Sequence, residues 1–278
     1  FYILVFWGLF GTILGSLPWY YLGRLVNEKR LSNFLDKKGK YLGISSNDLN
    51  KSKRWFDKYG VPLVTLWQGL GVDFSRFSLE DSQNILEKTG LSFVYLPNHF
   101  PQAQQLVTYR EQIGKRPPLS TLELMWSPCS SPKVHLICGF VHPPTENLFR
   151  ETLKLRNFHH FTTVKGLEGS CDLPQSRTAI IGMNQPNDNP KWERLFLHPQ
   201  DYQFKGKDVP LESTEELLKQ MQQVLEGENN PLMSLAIYNG GFYLWLCGVC
   251  NDLKTGFDEA KTLLTSGKVR QKLQEIQG

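Results

Sequence analysis

Residues 1–23 contain no charged side chain, and residues 24–60 then carry ten basic and four acidic ones. This step restricts the fold more than any other feature of the 278 residues. The run from Phe1 to Leu22 is broken only by glycines, Thr12, Ser16 and Pro18. As a helix rising about 1.5 Å per residue, it nearly crosses a hydrocarbon core of about 30 Å. Trp19, Tyr20 and Tyr21 stand where a membrane interface favours aromatic rings, and the basic run suits a cytoplasmic flank. No basic stretch precedes the run and no small-residue cleavage site follows it, so it does not read as a signal peptide. The expectation is a partial transmembrane helix over 1–23. A basic flank follows, whose helix is capped by Ser45 or Ser46 and ends on Trp55, Phe56 and Tyr59 before Gly60. The competing reading is a core helix of a soluble protein.

Beyond residue 60 the balance reverses. Residues 61–278 hold 21 basic and 23 acidic side chains, a net charge of −2. This argues against a broadly basic nucleic-acid surface and leaves room for a local patch. The five cysteines, Cys129, Cys138, Cys171, Cys247 and Cys250, form no framework and read as reduced thiols of a cytosolic domain. Cys247 and Cys250 make a C-x-x-C inside the apolar run 242–250, with no second pair nearby. They are expected to be buried helix residues, not a redox or metal site. His159 and His160, between Phe158 and Phe161, read as strand residues on opposite faces.

The patterning of this part predicts strands at 93–96, 135–141, 161–164 and 178–183. Helices are predicted at 101–113, 145–157, 214–225, 231–250, 255–266 and 268–276, with 184–192 as a loop rich in Asn and Pro. Strands alternating with helices imply an α/β fold, a central mostly parallel sheet with flanking helices. Apolar strand runs imply burial on both faces. The whole is then a largely helical membrane-type segment over 1–60 followed by an α/β domain over 61–278.

Two resemblances sharpen this. Gly15-Ser16-Leu17-Pro18-Trp19-Tyr20-Tyr21-Leu22-Gly23-Arg24, Lys40-Tyr41-Leu42-Gly43 and Trp55-Phe56-Asp57-Lys58-Tyr59-Gly60 resemble the DedA family of membrane proteins. That family is multi-spanning and linked to proton-coupled transport or lipid handling. Ser16 stands where it usually has an acidic residue, and its arginine-bearing segment is missing after Gly60. The resemblance therefore implies an anchor at most, since an intramembrane carboxylate and its arginine are the residues that would handle protons or substrate.

Residues 61–278 resemble the C-terminal α/β domain of the anthranilate phosphoribosyltransferase, or glycosyl transferase family 3, group. The match runs in order through Leu70-Gly71-Val72, Gly90-Leu91-Ser92-Phe93, Pro97-Asn98-His99-Phe100-Pro101, Tyr109 to Arg116, Asn239-Gly240-Gly241-Phe242-Tyr243-Leu244 and Ser266-Gly267-Lys268. The resemblance implies a truncated phosphoribosyltransferase-like domain. The family's glycine-rich Gly-Thr-Gly-Gly-Asp loop, Asn-x-Ser/Thr helix start and Lys-His-Gly-Asn segment, all due upstream of residue 60, are absent. Where the family has adjacent carboxylates for Mg²⁺, this chain reads Lys165-Gly166-Leu167-Glu168-Gly169-Ser170-Cys171-Asp172. Glu168 and Asp172 are then the weak metal candidates, with a solvated loop as the alternative. Arg110 and His99 match residues beside the family's acceptor pocket and are the substrate-binding candidates. Trp126, in Glu123-Leu124-Met125-Trp126-Ser127-Pro128, is expected to fill space meant for a small acceptor.

These departures resemble the YbiB-type subgroup, described as binding nucleic acid. Lys115, Arg116 and Lys165 are the candidate phosphate or nucleic-acid contacts, against a reading as scattered surface charges. The first expectation is a non-catalytic fragment that binds phosphate-rich ligands, nucleic acid among them. The second is a true phosphoribosyltransferase whose catalytic half is missing, with Mg²⁺ as cofactor of the full-length form. The third is a DedA-like membrane protein with a foreign tail. Residues 61–278 are expected in the cytoplasm, the whole chain at a membrane if the join is real. A sheet domain without its helical partner is expected to expose apolar surface, to be poorly soluble or to dimerise.

Overall fold

A computed structural model of the chain describes residues 63–113, 121, 123–127, 129, 134–166, 169–184, 192–209 and 213–277. The charge-free run, its basic flank and the DedA-like strings lie outside the described residues. Among the described residues no helix is long and apolar enough to cross a membrane. The chain divides into two units. One, Phe1–Val61 with Glu111–Gly114, lies outside the described residues save the backbone of 111–113. The other, Pro62–Arg110 with Lys115–Gly278, holds the rest.

The elements run α1 (Leu63–Gly69), α2 (Leu79–Thr89), α3 (Leu96–His99), α4 (Pro101–Ile113), β1 (Leu136–Gly139), α5 (Pro143–Leu155), β2 (Phe161–Lys165), β3 (Ala179–Asn184), β4 (Trp192–Leu197), α6 (Thr214–Leu225), α7 (Pro231–Leu246), α8 (Leu253–Thr265) and α9 (Lys268–Gln277). Helix starts follow the local chemistry. Ser78 and Asp81 close a reciprocal capping box on α2. Ser213, Asn230 and Asp252 accept N–H bonds at the starts of α6, α7 and α8.

The sheet order is β1-β2-β3-β4. β1 and β2 are parallel and joined by α5, a βαβ unit, but β2 pairs antiparallel with β3, and β3 antiparallel with β4. The sheet is therefore mixed, which corrects the expectation of a mostly parallel one. The connection between β3 and β4, residues 185–191, is too short for the crossover that parallel strands need, a dozen residues or more. Among its described residues the segment between β2 and β3 holds no α-helix, and it folds back over the strand ends instead.

Both faces of the sheet are covered, as its apolar runs imply. Val164, Ile181 and Leu197 pack on one face with Tyr238 and Phe242 of α7 and Phe257 of α8. Cys138, Phe140 and Phe161 pack on the other with Met125 and with Phe149 and Leu153 of α5. β4, which the sequence pattern places in no element, carries Glu193 and Arg194 in mid-strand. Arg194 donates from Nη2 to the buried Glu146 carboxylate of α5 at 2.8 Å, and Thr163 Oγ1 donates to the same carboxylate at 2.8 Å. Trp192 lies under the Arg150 guanidinium, 4.4 Å from its ring centroid. These partners on α5 admit a charged residue to a strand that the sequence pattern leaves unassigned.

Three further expectations change. Residues 91–95 form no strand; Pro97 sits in the first turn of the short helix α3, and Phe93 packs on Phe74. α7 ends at Leu246, so Cys247 and Cys250 lie past the helix, the first exposed and the second buried. β2 begins at Phe161, leaving His159 exposed before it, while His160 faces His135.

Candidate functional site

The carboxyl ends of β1 and β2 lie side by side, where open α/β sheets place their ligands. Lys165 ends β2, half-buried. The chain then doubles back across the strand ends. A Cβ at Gly139 would run into the Gly169 carbonyl and the Ser170 backbone, and one at Gly166 into the Ser170 and Asp172 carbonyls. These glycines let the loop lie directly on the sheet edge.

Side chains from three directions fix the loop. Arg177 donates from Nη2 to the Gly166 carbonyl at 2.9 Å. The Cys171 thiol donates to the Ile137 carbonyl of β1 at 3.7 Å. From α7, the Tyr243 hydroxyl donates to the Cys171 carbonyl. Asn239 Oδ1 accepts from the Leu173 N–H at 2.7 Å, and its Nδ2 donates to the Leu173 carbonyl at 3.3 Å. Burial pushes the Cys171 thiol up to about 11, with Asp172 adding to the shift, and pushes Cys138 up to about 12, with Cys171 adding. Both therefore stay protonated near neutrality and act as neither nucleophile nor thiolate ligand. Burial also raises the Tyr243 phenol, which remains a donor.

This edge offers few groups to a diphosphate. α5 starts with Pro143 and Pro144 at its first two positions, which removes two of the free N–H groups a helix start would present to an anion. Asp172 is exposed beside the loop. Glu168, its expected metal-binding companion, lies outside the described residues. Among the described residues no group of three His, Cys, Asp or Glu side chains comes together to hold a metal ion. Mg²⁺ is usually held by one or two carboxylates and the oxygens of a bound phosphate. The described donors therefore do not make a metal site by themselves.

The other candidates are placed as follows. His99 uses both ring nitrogens on its surroundings: Nδ1 accepts from the Tyr95 N–H at 3.2 Å, and Nε2 lies 3.0 Å from the Phe77 carbonyl, to which it donates. Arg110 lies on α4, and its side chain is outside the described residues, as are Lys115 and Arg116. His99 and Lys165 are thus the only substrate or phosphate candidates with described side chains. The structure does not bring them into one described cluster.

Trp126, which the resemblance expects to fill space meant for a small acceptor, stands in the wall of a cleft. Its ring meets Phe100 edge to face, with centroids 4.4 Å apart. Together with Leu96, Met125, Thr152 and Arg156 they line an apolar hollow of about 440 Å³. Arg156 donates to the Met125 carbonyl at 2.6 Å, which fixes the guanidinium there. Asn239 and Tyr243, which stand out in the sequence only as part of a resemblance, emerge as the residues that hold the loop. The signal was available: an amide inside a long apolar helix has to find a partner.

Curated relatives resemble the chain over most of the described region. An anthranilate phosphoribosyltransferase from Polynucleobacter necessarius subsp. necessarius (strain STIR1) is 25% identical over 209 residues, covering 74% of this chain and 60% of its own length. The enzyme of the same name from Albidiferax ferrireducens is 23% identical over 212 residues, covering 75% and 59%. The chain thus spans about three fifths of the length of these relatives. Among solved structures, anthranilate phosphoribosyltransferase from Thermus thermophilus superposes with a TM-score of 0.61 at 21% identity, covering 76% of this chain and 62% of that one. The enzyme from Saccharomyces cerevisiae in complex with PRPP and Mg gives 0.59 at 17% identity, covering 76% and 60%. At these identities the likeness establishes the fold. The model of the glycosyl transferase family, a/b domain, matches residues 67–270, so through that domain the chain belongs to the glycosyl transferase family.

Proposed function

We propose that this chain is the sheet part of a phosphoribosyltransferase-fold protein that binds a phosphate-rich ligand, nucleic acid foremost, and transfers no phosphoribosyl group by itself. One observation carries the reading. The loop over the carboxyl ends of β1 and β2 is built and braced as for a ligand site, yet its single described carboxylate is Asp172, and α5, which follows β1, starts with two prolines. A site that lacks its own diphosphate donors can still offer a cation to a phosphate backbone. Lys165 at the end of β2 is the described candidate, with Lys115 and Arg116 as proposed companions and Arg110 and His99 as proposed acceptor-side residues.

A second reading has its own support. Both curated relatives are phosphoribosyltransferases, and one solved relative is described in complex with PRPP and Mg. In this reading Glu168 and Asp172 would help hold Mg²⁺ through the ligand's phosphates once the remainder of the protein is present.

Two measurements test these readings. Fluorescence anisotropy of a labelled single-stranded oligonucleotide is followed against the full chain at rising salt. The first reading expects binding at low salt that weakens linearly on a log–log plot, with a shallower slope in a Lys115→Ala/Arg116→Ala/Lys165→Ala variant. No binding at low salt overturns it. The second reading expects Mg²⁺-dependent pyrophosphate release when the longer protein is given phosphoribosyl diphosphate and anthranilate, and its absence excludes that reading.

A further inference from the structure

The string Asn239-Gly240-Gly241 has a well-defined structural setting. α7 lies between the loop on one side and α8 on the other. On the α8 side, a Cβ at Gly241 would run into the Phe257 backbone and ring, and one at Gly256 into the Gly241 carbonyl. The two helices therefore cross with their backbones in contact, and α7 cannot shift toward α8. On the loop side, Asn239 holds Leu173 through both its carbonyl and its amide group. Tyr243, one turn further on, donates to the Cys171 carbonyl. The glycines thus set the distance of α7 from α8, and the two polar side chains tie α7 to the loop.

We infer that Asn239 and Tyr243 are positioning residues: held by the Gly241–Gly256 crossing, they fix residues 169–173 on the carboxyl ends of β1 and β2. Asp172, the exposed carboxylate of that loop, sits between the Cys171 and Leu173 backbone groups that they hold. Both act through the backbone of the loop. The consequence for ligand binding rests on the reading that this loop faces the phosphate-rich ligand. The positioning itself does not.

Cys171 supplies the measurement. Its thiol is turned down onto the Ile137 carbonyl and the residue is half-buried, so lifting of the loop raises its rate with an alkylating agent. Cys138, on β1 beneath it, is buried and reports opening of the sheet core, while the exposed Cys129 reports intrinsic reactivity. The full chain is treated with N-ethylmaleimide, and each cysteine is followed separately by peptide mass spectrometry. Tyr243→Phe removes one hydroxyl and keeps the ring. It is expected to raise the Cys171 rate roughly three- to tenfold, the factor that one lost net hydrogen bond allows. Asn239→Ala, which removes two bonds to Leu173, is expected to raise it further. Cys138 and Cys129 keep their rates in both. An unchanged Cys171 rate in Tyr243→Phe overturns the inference. So does a parallel rise at Cys171 and Cys138, because the change is then a general loosening of the core. Where the loop lifts as expected but the unaltered chain binds neither the oligonucleotide nor phosphoribosyl diphosphate with Mg²⁺, the positioning role stands and the ligand reading of the loop fails.

Discussion

His135 shows what one buried imidazole does to the pH range of this fold. It sits just before β1, and its Nε2 lies 2.8 Å from the hydroxyl of the fully buried Thr162. His160 faces it with ring centroids 6.4 Å apart, and Thr162, Met183, Asn184, Trp245 and Leu246 complete the wall of a cavity of about 280 Å³. Burial lowers the His135 pKa, and the second imidazole lowers it further. Among the described residues no carboxylate lines this cavity to favour the cation. A histidine held below its unfolded value of about 6.5 is neutral in the fold and takes up a proton more readily on unfolding. Its contribution is intact above that value, diminishes as the pH drops below it, and levels off under the folded pKa. Urea denaturation of the full chain should therefore show stability decreasing below about pH 6.5, at no more than about 1.4 kcal/mol per pH unit for this one proton. His135→Gln should flatten that part of the profile; an unchanged profile would mean that other groups govern it. Little of this was legible in the sequence. The adjacent pair His159-His160 is plain there, whereas the partner of His160 comes from 25 residues upstream and meets it only because β1 and β2 are parallel neighbours. His99 shows the opposite case. Its turn was visible as Pro97-Asn98-His99-Phe100-Pro101, but not that backbone groups would engage both its nitrogens.

At the scale of elements, the crossing of α7 and α8 gives the sharpest contrast. Gly240 and Gly241 are adjacent, and both sit in mid-helix, where glycine costs roughly 0.8–1 kcal/mol relative to alanine. A Cβ at Gly240 would lie 3.5 Å from Ala260, an ordinary contact, whereas one at Gly241 would enter the Phe257 backbone. Gly240→Ala is therefore expected to stabilise the protein by several tenths of a kcal/mol. Gly241→Ala should destabilise it by about 1–3 kcal/mol, since the helices have to move apart. Denaturation midpoints of the two variants, measured in parallel, decide the matter, and equal shifts would refute the close crossing. The helices themselves were readable from the sequence pattern: α4 and α6 fall where the sequence places them. The sheet was less so. Strand direction depends on whether a connection contains a helix, and the segment between β2 and β3 has the length of a crossover without the pattern of one. β4 stayed hidden because Glu193 and Arg194 break its apolar alternation, and the carboxylate that receives Arg194 lies 48 residues away on α5.

For the molecule as a whole, the exposed apolar side chains point to surfaces that have a use beyond this domain. Leu148 and Leu155 stand two turns apart on α5, the second 85% exposed, and Phe196 on β4 is 56% exposed. All three belong to elements that cover or extend one face of the sheet, while the other face is closed by α7 and α8. Isolated exposed leucines are ordinary on a monomer, but two on one helix face make a stripe that water does not favour. The relatives are longer than this chain's matched part by about two fifths of their length, so their folds have further chain with which to cover surface. Residues 61–278 alone are accordingly expected to self-associate. Sedimentation velocity across a tenfold concentration range should show a sedimentation coefficient that rises with concentration. Leu148→Lys/Leu155→Lys, which places two charges on the stripe without touching the core, should reduce that rise. If 61–278 sediments as a monodisperse monomer throughout the range, the stripe is an ordinary surface. If it associates and the double variant does so equally, the contact lies elsewhere, and exposed Phe196 on the edge strand β4 becomes the position to change next. Edge strands that meet across a two-fold axis perpendicular to the sheet pair antiparallel, so a charge near that axis would face its symmetry mate and disrupt the contact.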